Sequence, residues 1–253
     1  MLDHVKFDVA PQIRDCIIQS VYDAVGDLIK EDNRRYRLRT RNGNGGRIWD
    51  FLNTSLCESF DSPDCMAYVV NRGPWEMVIV YEKKTKWIYT IMREARFSSI
   101  RHDTPKRRRM HYLDMFTRHF NSDLLASIGQ TRMFTKEFTD EDELHELVSK
   151  MLYALQADGV VIERHVLVLF DSRNYQLTSI RAAVIDSSLD IVAEEDWTNS
   201  IPSLDSVIVE TEDYMTDTVN NPNHGLRLTR KAAARKKNKL HIKEQKTDKT
   251  DEM

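Results

Sequence analysis

The spacing of apolar residues predicts helices in the N-terminal part of the chain. Over residues 11–30, apolar side chains recur every three or four positions, which indicates an amphipathic helix with Pro11 in its first turn. A shorter helix is predicted over residues 48–56, whose apolar side chains share one face. We interpret this second helix as a packing element.

Two groups of strand-like runs follow. In the first, two apolar runs enclose the five polar residues 82–86, which predicts an antiparallel hairpin. The second group predicts a meander, and its continuous apolar run from Val166 to Phe170 indicates a central strand covered on both faces. The predicted strands are residues 68–70, 75–81 and 87–92 in the first group and residues 165–170, 175–185 and 189–193 in the second.

Two further helices are predicted between the strand groups. The first covers residues 110–128. In the second, apolar residues repeat with helical spacing from Leu144 to Leu155, and Gly159 follows as a natural stop. These patterns predict an α+β fold, in which a mainly antiparallel sheet of two hairpin or meander groups packs against three or four helices. Whether the two groups share one sheet stays open at this level.

The domain organisation follows from a change in composition after residue 200. The chain becomes acidic and irregular there, and residues 220–225 have the character of a linker. We therefore predict a single domain over residues 1–215, followed by a flexible linker and a basic tail over residues 216–253. The tail has too few apolar residues to bury a face, and its end is expected to be disordered.

The net charge of −3 conceals a division between the body and the tail. Residues 227–253 contain ten Lys or Arg and four Asp or Glu, whereas residues 1–226 contain 27 basic and 36 acidic residues. An acidic body with a basic tail is typical of a tail that contacts nucleic acid, another anionic surface or the body itself.

Composition also excludes several classes of protein. The three cysteines have neither disulfide-framework nor zinc-ligand spacing, so a metal site is not predicted. No apolar run approaches the roughly 18 residues that span a bilayer, and the N-terminus lacks a signal-like apolar region. The glycine-rich residues 42–46 lack the end of a phosphate-binding loop, and no cofactor is predicted. We expect a cytoplasmic protein that does not enter a membrane.

The most suggestive feature is an alternation of arginine with uncharged residues. As a strand, this segment would place four guanidiniums on one face, where they could bind phosphates or carboxylates: Arg35, Arg37, Arg39 and Arg41. The alternative is an edge strand whose charges prevent edge-to-edge pairing, or the solvated end of the first helix.

Two more basic clusters would support a polyanion-binding role. One precedes the helix predicted over residues 110–128, where cations are unfavourable for the helix dipole unless an anion compensates for them: Arg107, Arg108 and Arg109. The other lies in the tail and has the composition of a nucleic-acid-binding arm: Arg235, Lys236 and Lys237. A solvated loop and a solubilising tail are the respective alternatives.

One enzymatic alternative can be written from the sequence. Asp64, Glu82 and Lys84 fit the letters of the PD-(D/E)xK nuclease pattern, in which the carboxylates hold a divalent metal and the lysine assists the attack of water. The expected position of Glu82 and Lys84 at a hairpin tip is unfavourable for this pattern, which needs them on a strand facing a cleft. The histidines form no catalytic arrangement, and His165 is expected to be a core residue.

Four segments together resemble an uncharacterised bacterial domain-of-unknown-function family. They are residues 47–54 (RIWDFLNT), 72–75 (RGPW), 92–97 (MREARF) and 164–166 (RHV). Members of that family occur in Gram-positive bacteria and their mobile elements, sometimes beside helix-turn-helix regulators. The resemblance covers residues 10–240 and implies a role in regulation, phage defence or a toxin–antitoxin pair, with no known activity and no catalytic residue.

The leading hypothesis is a non-enzymatic protein that associates with DNA, RNA or a protein partner through its basic clusters. The alternatives are a metal-dependent nuclease and an inhibitor or antitoxin that binds an acidic protein.

Overall fold

A seven-stranded sheet forms the centre of the fold, and its strands are ordered as they occur along the chain. A computed structural model of the protein describes residues 7–37, 39–72, 74–103, 110–124 and 141–202. The strands are β1 (Asp61–Ser62), β2 (Cys65–Arg72), β3 (Trp75–Glu82), β4 (Trp87–Arg93), β5 (Arg164–Arg173), β6 (Gln176–Ile185) and β7 (Ile191–Asp196). Both predicted strand groups therefore belong to one sheet, and the α+β prediction is confirmed.

The pairing within the sheet is antiparallel except at its middle. Strands β1 to β4 form one antiparallel set and β5 to β7 form another. They are joined by a parallel pairing of β4 with β5, in which Tyr89 lies beside Val166. A parallel pair needs a long crossover connection, and the helices between residues 94 and 157 belong to it.

The first face of the sheet is covered by the N-terminal helices. These are α1 (Pro11–Asp23), a π-helical turn (Ala24–Leu28), α2 (Ile29–Tyr36) and α3 (Asn44–Ser59). Proline in the first turn of α1 costs no hydrogen bond, because the N–H groups of a helix's first turn have no partner within the helix. The predictions over residues 11–30 and 48–56 are confirmed, although the π-helical turn was not foreseen.

The second face is covered by the crossover helices. They are α4 (Glu94–Asp103), α5 (Tyr112–Phe120), α6 (Glu141–Met151) and α7 (Tyr153–Ala157). Both helices predicted in this region are present, but α5 ends at Phe120, earlier than predicted. Gly159, with φ of 69°, follows α7 and marks the predicted stop. None of the helices in the described ranges is long and apolar enough to cross a membrane.

Alternate residues of the central strands enter two separate cores. In β5, Val166, Val168 and Phe170 face α1 and α3, while Leu167 and Leu169 face the crossover helices. All five side chains are at most 1% exposed. The prediction of a central strand covered on both faces is therefore confirmed, and the strand's continuous apolar run has a structural reason.

His165 is a buried core residue, as predicted. Its Nε2 is hydrogen-bonded to Thr90 Oγ1 at 2.8 Å, and its Nδ1 has no hydrogen-bond partner among the described residues. Burial lowers the pKa of His165 to about 3, because the charged imidazolium would be desolvated.

This burial predicts that the protein loses stability in mildly acidic solution. Because the pKa of His165 is lower in the folded chain than the ordinary value of about 6.5, the unfolded chain binds the proton first as the pH falls. The contribution of His165 to the free energy of unfolding is fully present above pH ~6.5 and decreases below it, by about 2 kcal/mol at pH 5. Urea unfolding at pH 7 and pH 5 measures this loss.

A variant comparison isolates the contribution of His165. Burial and the neighbouring His145 also lower the pKa of His119, so part of the wild-type pH dependence has another source. We expect His165→Gln to reduce the difference in unfolding free energy between pH 7 and pH 5, and His102→Gln, at an exposed site on α4, to leave it unchanged. An unaltered pH dependence in His165→Gln would contradict the assignment.

Candidate functional site

The arginine-rich segment after α1 does not form the predicted strand. Helix α2 continues through Tyr36, and Arg37 ends it in the left-handed conformation with φ of 46° and ψ of 44°. The strand prediction was wrong because the segment begins inside α2, and Tyr36, on the uncharged side of the alternation, is 60% exposed and buries no apolar face. Arg34 and Arg35 lie instead in the last turn of α2, where cations interact favourably with the helix dipole.

The residues of this arginine segment, 34–41, are nevertheless accessible. Five guanidiniums in it are exposed, and none forms a salt bridge with another described residue; they belong to Arg34, Arg35, Arg37, Arg39 and Arg41. Leu38 lies outside the described residues. By contrast, Arg47 forms a salt bridge with Asp32 and donates a hydrogen bond of 3.0 Å to Asn33. Arg47 thus fastens α3 to α2, whereas the arginine segment is left available.

The end of the arginine segment is held against the hairpin between β5 and β6. Tyr175 Oη accepts hydrogen bonds of 3.1 Å from both Arg41 Nη1 and Asn44 Nδ2. The guanidinium of Arg41 also lies 5.7 Å from the centre of the Tyr175 ring. The first residue of α3 and the tip of the hairpin are therefore joined at one polar contact.

Beside this contact is a pocket of about 470 Å³, which we name the tryptophan–arginine pocket. It lies between the start of α3, the start of β3, the end of β4 and the first turns of α4. The residues that line it are Gly45, Gly46, Trp49, Trp75, Glu76, Met77, Ile91, Met92, Arg93, Arg96 and Tyr112. Two guanidiniums line it, those of Arg93 and Arg96, and Glu76 is the acidic residue among the described lining residues.

Arg93 is the more constrained of the two arginines. It is half-buried, its Nη1 donates a hydrogen bond of 3.0 Å to Ser172 Oγ, and its guanidinium lies 5.2 Å from the centre of the Phe170 ring. It forms no salt bridge with a described carboxylate, although Asp171 lies close enough to interact electrostatically. Burial lowers the pKa of Arg93, and an arginine remains charged despite such a shift.

A second pocket continues from the first and has the opposite character. Its volume is about 820 Å³, and it lies between α3 and strand β2. Four carboxylates line it: Asp50, Glu58, Asp61 and Glu76. Gly46, Trp49, Trp75 and Glu76 border both pockets, so they mark the junction between this acidic trough and the tryptophan–arginine pocket.

The residues of the nuclease alternative lie at the other end of β3 and β4. Glu82 is only 4% exposed, and its Oε2 accepts hydrogen bonds from Tyr89 Oη at 2.8 Å and Thr85 Oγ1 at 2.7 Å. Asp64 and Lys84 are exposed in turns. No group of three or more His, Cys, Asp or Glu side chains in the described ranges is arranged to hold a metal.

The other predicted clusters have no described position. Arg107, Arg108 and Arg109 lie in the undescribed residues 104–109, and Arg235, Lys236 and Lys237 lie beyond residue 202. The predicted domain boundary near residue 215 also lies outside the described part of the chain. The polyanion-binding roles of these two clusters therefore stay predictions.

The sequence pattern alone assigns no functional role to the residues of the tryptophan–arginine pocket. Trp49 belongs to the helix predicted as a packing element, and Trp75 and Arg93 stand out only as members of the RGPW and MREARF segments. Three of the four segments that resemble the family, RIWDFLNT, RGPW and MREARF, contribute lining residues to this one pocket. Their separation along the chain hid the arrangement.

Comparisons with known proteins give one match. The model of a family of unknown function, DUF5986, matches residues 5–247. No curated protein and no solved structure matches the chain. The resemblance to an uncharacterised domain family is thereby confirmed, and because the match covers nearly the whole sequence, the chain belongs to family DUF5986.

Proposed function

We propose that this protein is a non-enzymatic nucleic-acid-binding protein that acts in the cytoplasm, in regulation, phage defence or a toxin–antitoxin pair. The observation that carries the proposal is the arginine segment, residues 34–41, with five exposed guanidiniums that have no salt bridge to the described residues. Residues 1–226 contain an excess of acidic side chains, so internal partners were abundant. Because none of the five guanidiniums pairs with a described carboxylate, they favour an external polyanion.

The chemistry of arginine suits a phosphate backbone. Its planar guanidinium is always charged and can donate two parallel hydrogen bonds to one phosphate. Contacts with phosphates supply affinity that falls steeply with salt and carry little sequence information. The proposal is therefore a general affinity for nucleic acid, with any preference among nucleic acids coming from neighbouring groups.

The charges around the segment restrict the direction of a bound strand. Tyr175 ties Arg41 to the start of α3, and the same helix start lines the tryptophan–arginine pocket. The acidic trough on the other side of Trp75 would repel phosphates. A bound nucleic-acid strand would accordingly run from the arginine segment towards Arg93 and Arg96, and away from the trough.

A double substitution in the arginine segment tests the proposal. We expect Arg37→Gln with Arg39→Gln to weaken the binding of a labelled oligonucleotide about tenfold or more, because two phosphate contacts are lost. Plots of log affinity against log salt between about 50 and 200 mM should become less steep by about one for each contact. Fluorescence anisotropy measures both quantities.

The matched control removes the same charge elsewhere. Lys83 and Lys84 are exposed in the turn after β3, at the opposite end of the strand from Trp75. We expect Lys83→Gln with Lys84→Gln to lower affinity much less than the arginine variant. An equal loss in the two variants would assign binding to net charge alone, and an absence of binding at low salt would overturn the proposal.

The two alternative functions give different results in the same experiment. A nuclease using Asp64, Glu82 and Lys84 would shorten the oligonucleotide in the presence of Mg²⁺. The buried Glu82, already hydrogen-bonded to Tyr89 and Thr85, does not favour this alternative. An inhibitor or antitoxin would leave the oligonucleotide unbound and bind an acidic protein through the arginine segment.

A further inference from the structure

The most exposed indole of the described residues borders a pocket. Trp75 is 65% exposed at the start of β3, and Trp49 lines the same space from α3. Exposing a large aromatic ring to water is unfavourable, and such rings are enriched at binding sites. Indoles are also effective platforms for stacking a nucleobase, because every base presents a flat π-face.

The cations of the pocket do not border the acidic trough. Trp49, Trp75 and Glu76 border both pockets, whereas Arg93 and Arg96 line only the tryptophan–arginine pocket. Neither arginine forms a salt bridge with another described residue. Arg93 is fixed by Ser172 and by the ring of Phe170, so little conformational entropy is lost when an anion binds there.

The trough therefore adjoins the pocket at the two tryptophans and Glu76, and not at the two arginines. Glu76 at the junction repels an anion, so an anionic group is directed towards Arg93 and Arg96. A flat uncharged ring is not repelled by Glu76 and can stack on an indole. The volume of about 470 Å³ lies within the range of small-molecule sites.

The pocket also lies where a bound strand would pass. Gly45 and Gly46 line it, and Asn44 immediately before them shares Tyr175 with Arg41. A nucleic acid whose phosphates lie along the arginine segment could therefore place one base in the pocket. That base must be unpaired and unstacked from its neighbours, which is the state of single strands, loops and ends.

We propose that the tryptophan–arginine pocket binds one nucleotide of a single-stranded nucleic acid, with the base stacked on Trp75 and Trp49 and a phosphate bound by Arg93 and Arg96. This inference rests on the proposed function and adds a ligand class to it. It predicts that the protein binds single strands more tightly than duplexes of the same length, and that isolated nucleotides bind at the same pocket.

The first test uses nucleoside monophosphates and isothermal titration calorimetry. We expect a nucleoside monophosphate to bind more tightly than the matching nucleoside or ribose 5-phosphate, because each of these lacks one of the two contacts. Trp75→Leu should weaken nucleotide binding about tenfold or more, the effect expected for removal of a stacking platform. Arg96→Gln should weaken binding of the monophosphate but leave the nucleoside unaffected.

Control variants separate this site from general surface effects. Tyr153 on α7 is 75% exposed and lines neither pocket, so Tyr153→Leu removes a comparable aromatic ring outside the proposed site. We expect it to retain wild-type nucleotide affinity. Because Trp75 is largely exposed, Trp75→Leu should fold normally, and its unfolding midpoint checks this.

The outcomes distinguish the pocket from the proposed function. Oligonucleotide binding that is equal for single strands and duplexes, together with no nucleotide binding, would overturn the pocket and leave general nucleic-acid binding intact. Nucleotide binding lost in Trp75→Leu, together with no oligonucleotide binding at low salt, would support the pocket and overturn the proposed function. Equal losses in Trp75→Leu and Tyr153→Leu would also overturn the pocket.

Discussion

Asn121→Ala is expected to lower the free energy of unfolding by at least about 3 kcal/mol. The Asn121 side chain is fully buried, and its Nδ2 donates hydrogen bonds to the carbonyls of His165 at 2.9 Å and Ile185 at 2.8 Å. Its Oδ1 accepts a third, of 3.0 Å, from the backbone N–H of His165. Each buried group left without a partner costs about 1–3 kcal/mol, and urea unfolding measures the sum.

The position of these groups explains why one amide has so large an effect. Strands β5 and β6 pair Leu167 with Ala183, and continuing that register by two residues places His165 opposite Ile185. The Asn121 amide therefore supplies hydrogen bonds to the backbone of both strands at the point where their own ladder ends. It also attaches the end of α5 to the central strand β5.

Two comparison variants make the prediction specific. Asn121→Asp keeps the acceptor for the His165 N–H but turns a carboxylate oxygen towards two carbonyls, so we expect it to be at least as destabilising as Asn121→Ala. Asn71→Ala, at an exposed site on β2, should change stability by less than about 0.5 kcal/mol. A loss below 1 kcal/mol in Asn121→Ala would show that water or a shifted backbone satisfies these groups.

The elements predicted correctly from sequence are those with local signals. The hairpin between β3 and β4 was identified because a polar tip separates two apolar runs, and α6 because its apolar residues repeat at one helical face. Strand β5 was recognised as central because Val166 to Phe170 are all apolar, and the structure places them in two cores. In each case a few neighbouring residues determine the outcome.

The elements that were missed depend on distant parts of the chain. Helix α4 has almost no apolar periodicity, and Phe97 and Ile100 are its buried residues. Besides these two apolar side chains, polar contacts attach it, such as the two hydrogen bonds from Arg181 on β6 to Glu94, at 2.7 and 3.3 Å. The parallel pairing of β4 with β5 likewise joins residues more than 70 positions apart, and no local pattern encodes it.

The candidate site was only half predictable for the same reason. The arginines of residues 34–41 attract attention in the sequence because they are adjacent, although their conformation was predicted wrongly. The tryptophan–arginine pocket gives no such signal, because Trp49, Trp75 and Arg93 come from three elements that meet only in the folded chain. Trp75 is recognised as a candidate site residue by its exposed indole, and Arg93 by its lack of a salt bridge with a described carboxylate. Both properties can be seen only in the folded chain.

Phe170 connects this pocket to the core of the protein. The ring is 1% exposed, lies edge-on to the Trp49 ring with centres 5.9 Å apart, and packs under the Arg93 guanidinium. One buried side chain therefore contacts both Trp49 and Arg93, an aromatic and a cationic lining residue of the pocket. Phe170 is a positioning residue in this arrangement, because it lines neither pocket among the described residues.

We expect Phe170→Ala to lower the free energy of unfolding by about 3–5 kcal/mol, because a large buried ring is replaced by a cavity. Phe170→Leu should cost much less, about 1 kcal/mol, since most of the volume is kept. The leucine variant nevertheless removes the flat ring beneath Arg93 and beside Trp49. We therefore expect it to weaken nucleotide binding at the tryptophan–arginine pocket while the protein stays folded, as measured by urea unfolding and calorimetry.

A core phenylalanine away from the pocket provides the control. Phe60 is 5% exposed and follows the opposite end of α3 from Gly45 and Gly46. Because the 16 residues of α3 extend over about 24 Å, a cavity at Phe60 is remote from the pocket. We expect Phe60→Leu to lose comparable stability and retain nucleotide affinity. If Phe60→Leu and Phe170→Leu weaken nucleotide binding equally, general loosening of the core, and not the position of Trp49 and Arg93, determines affinity.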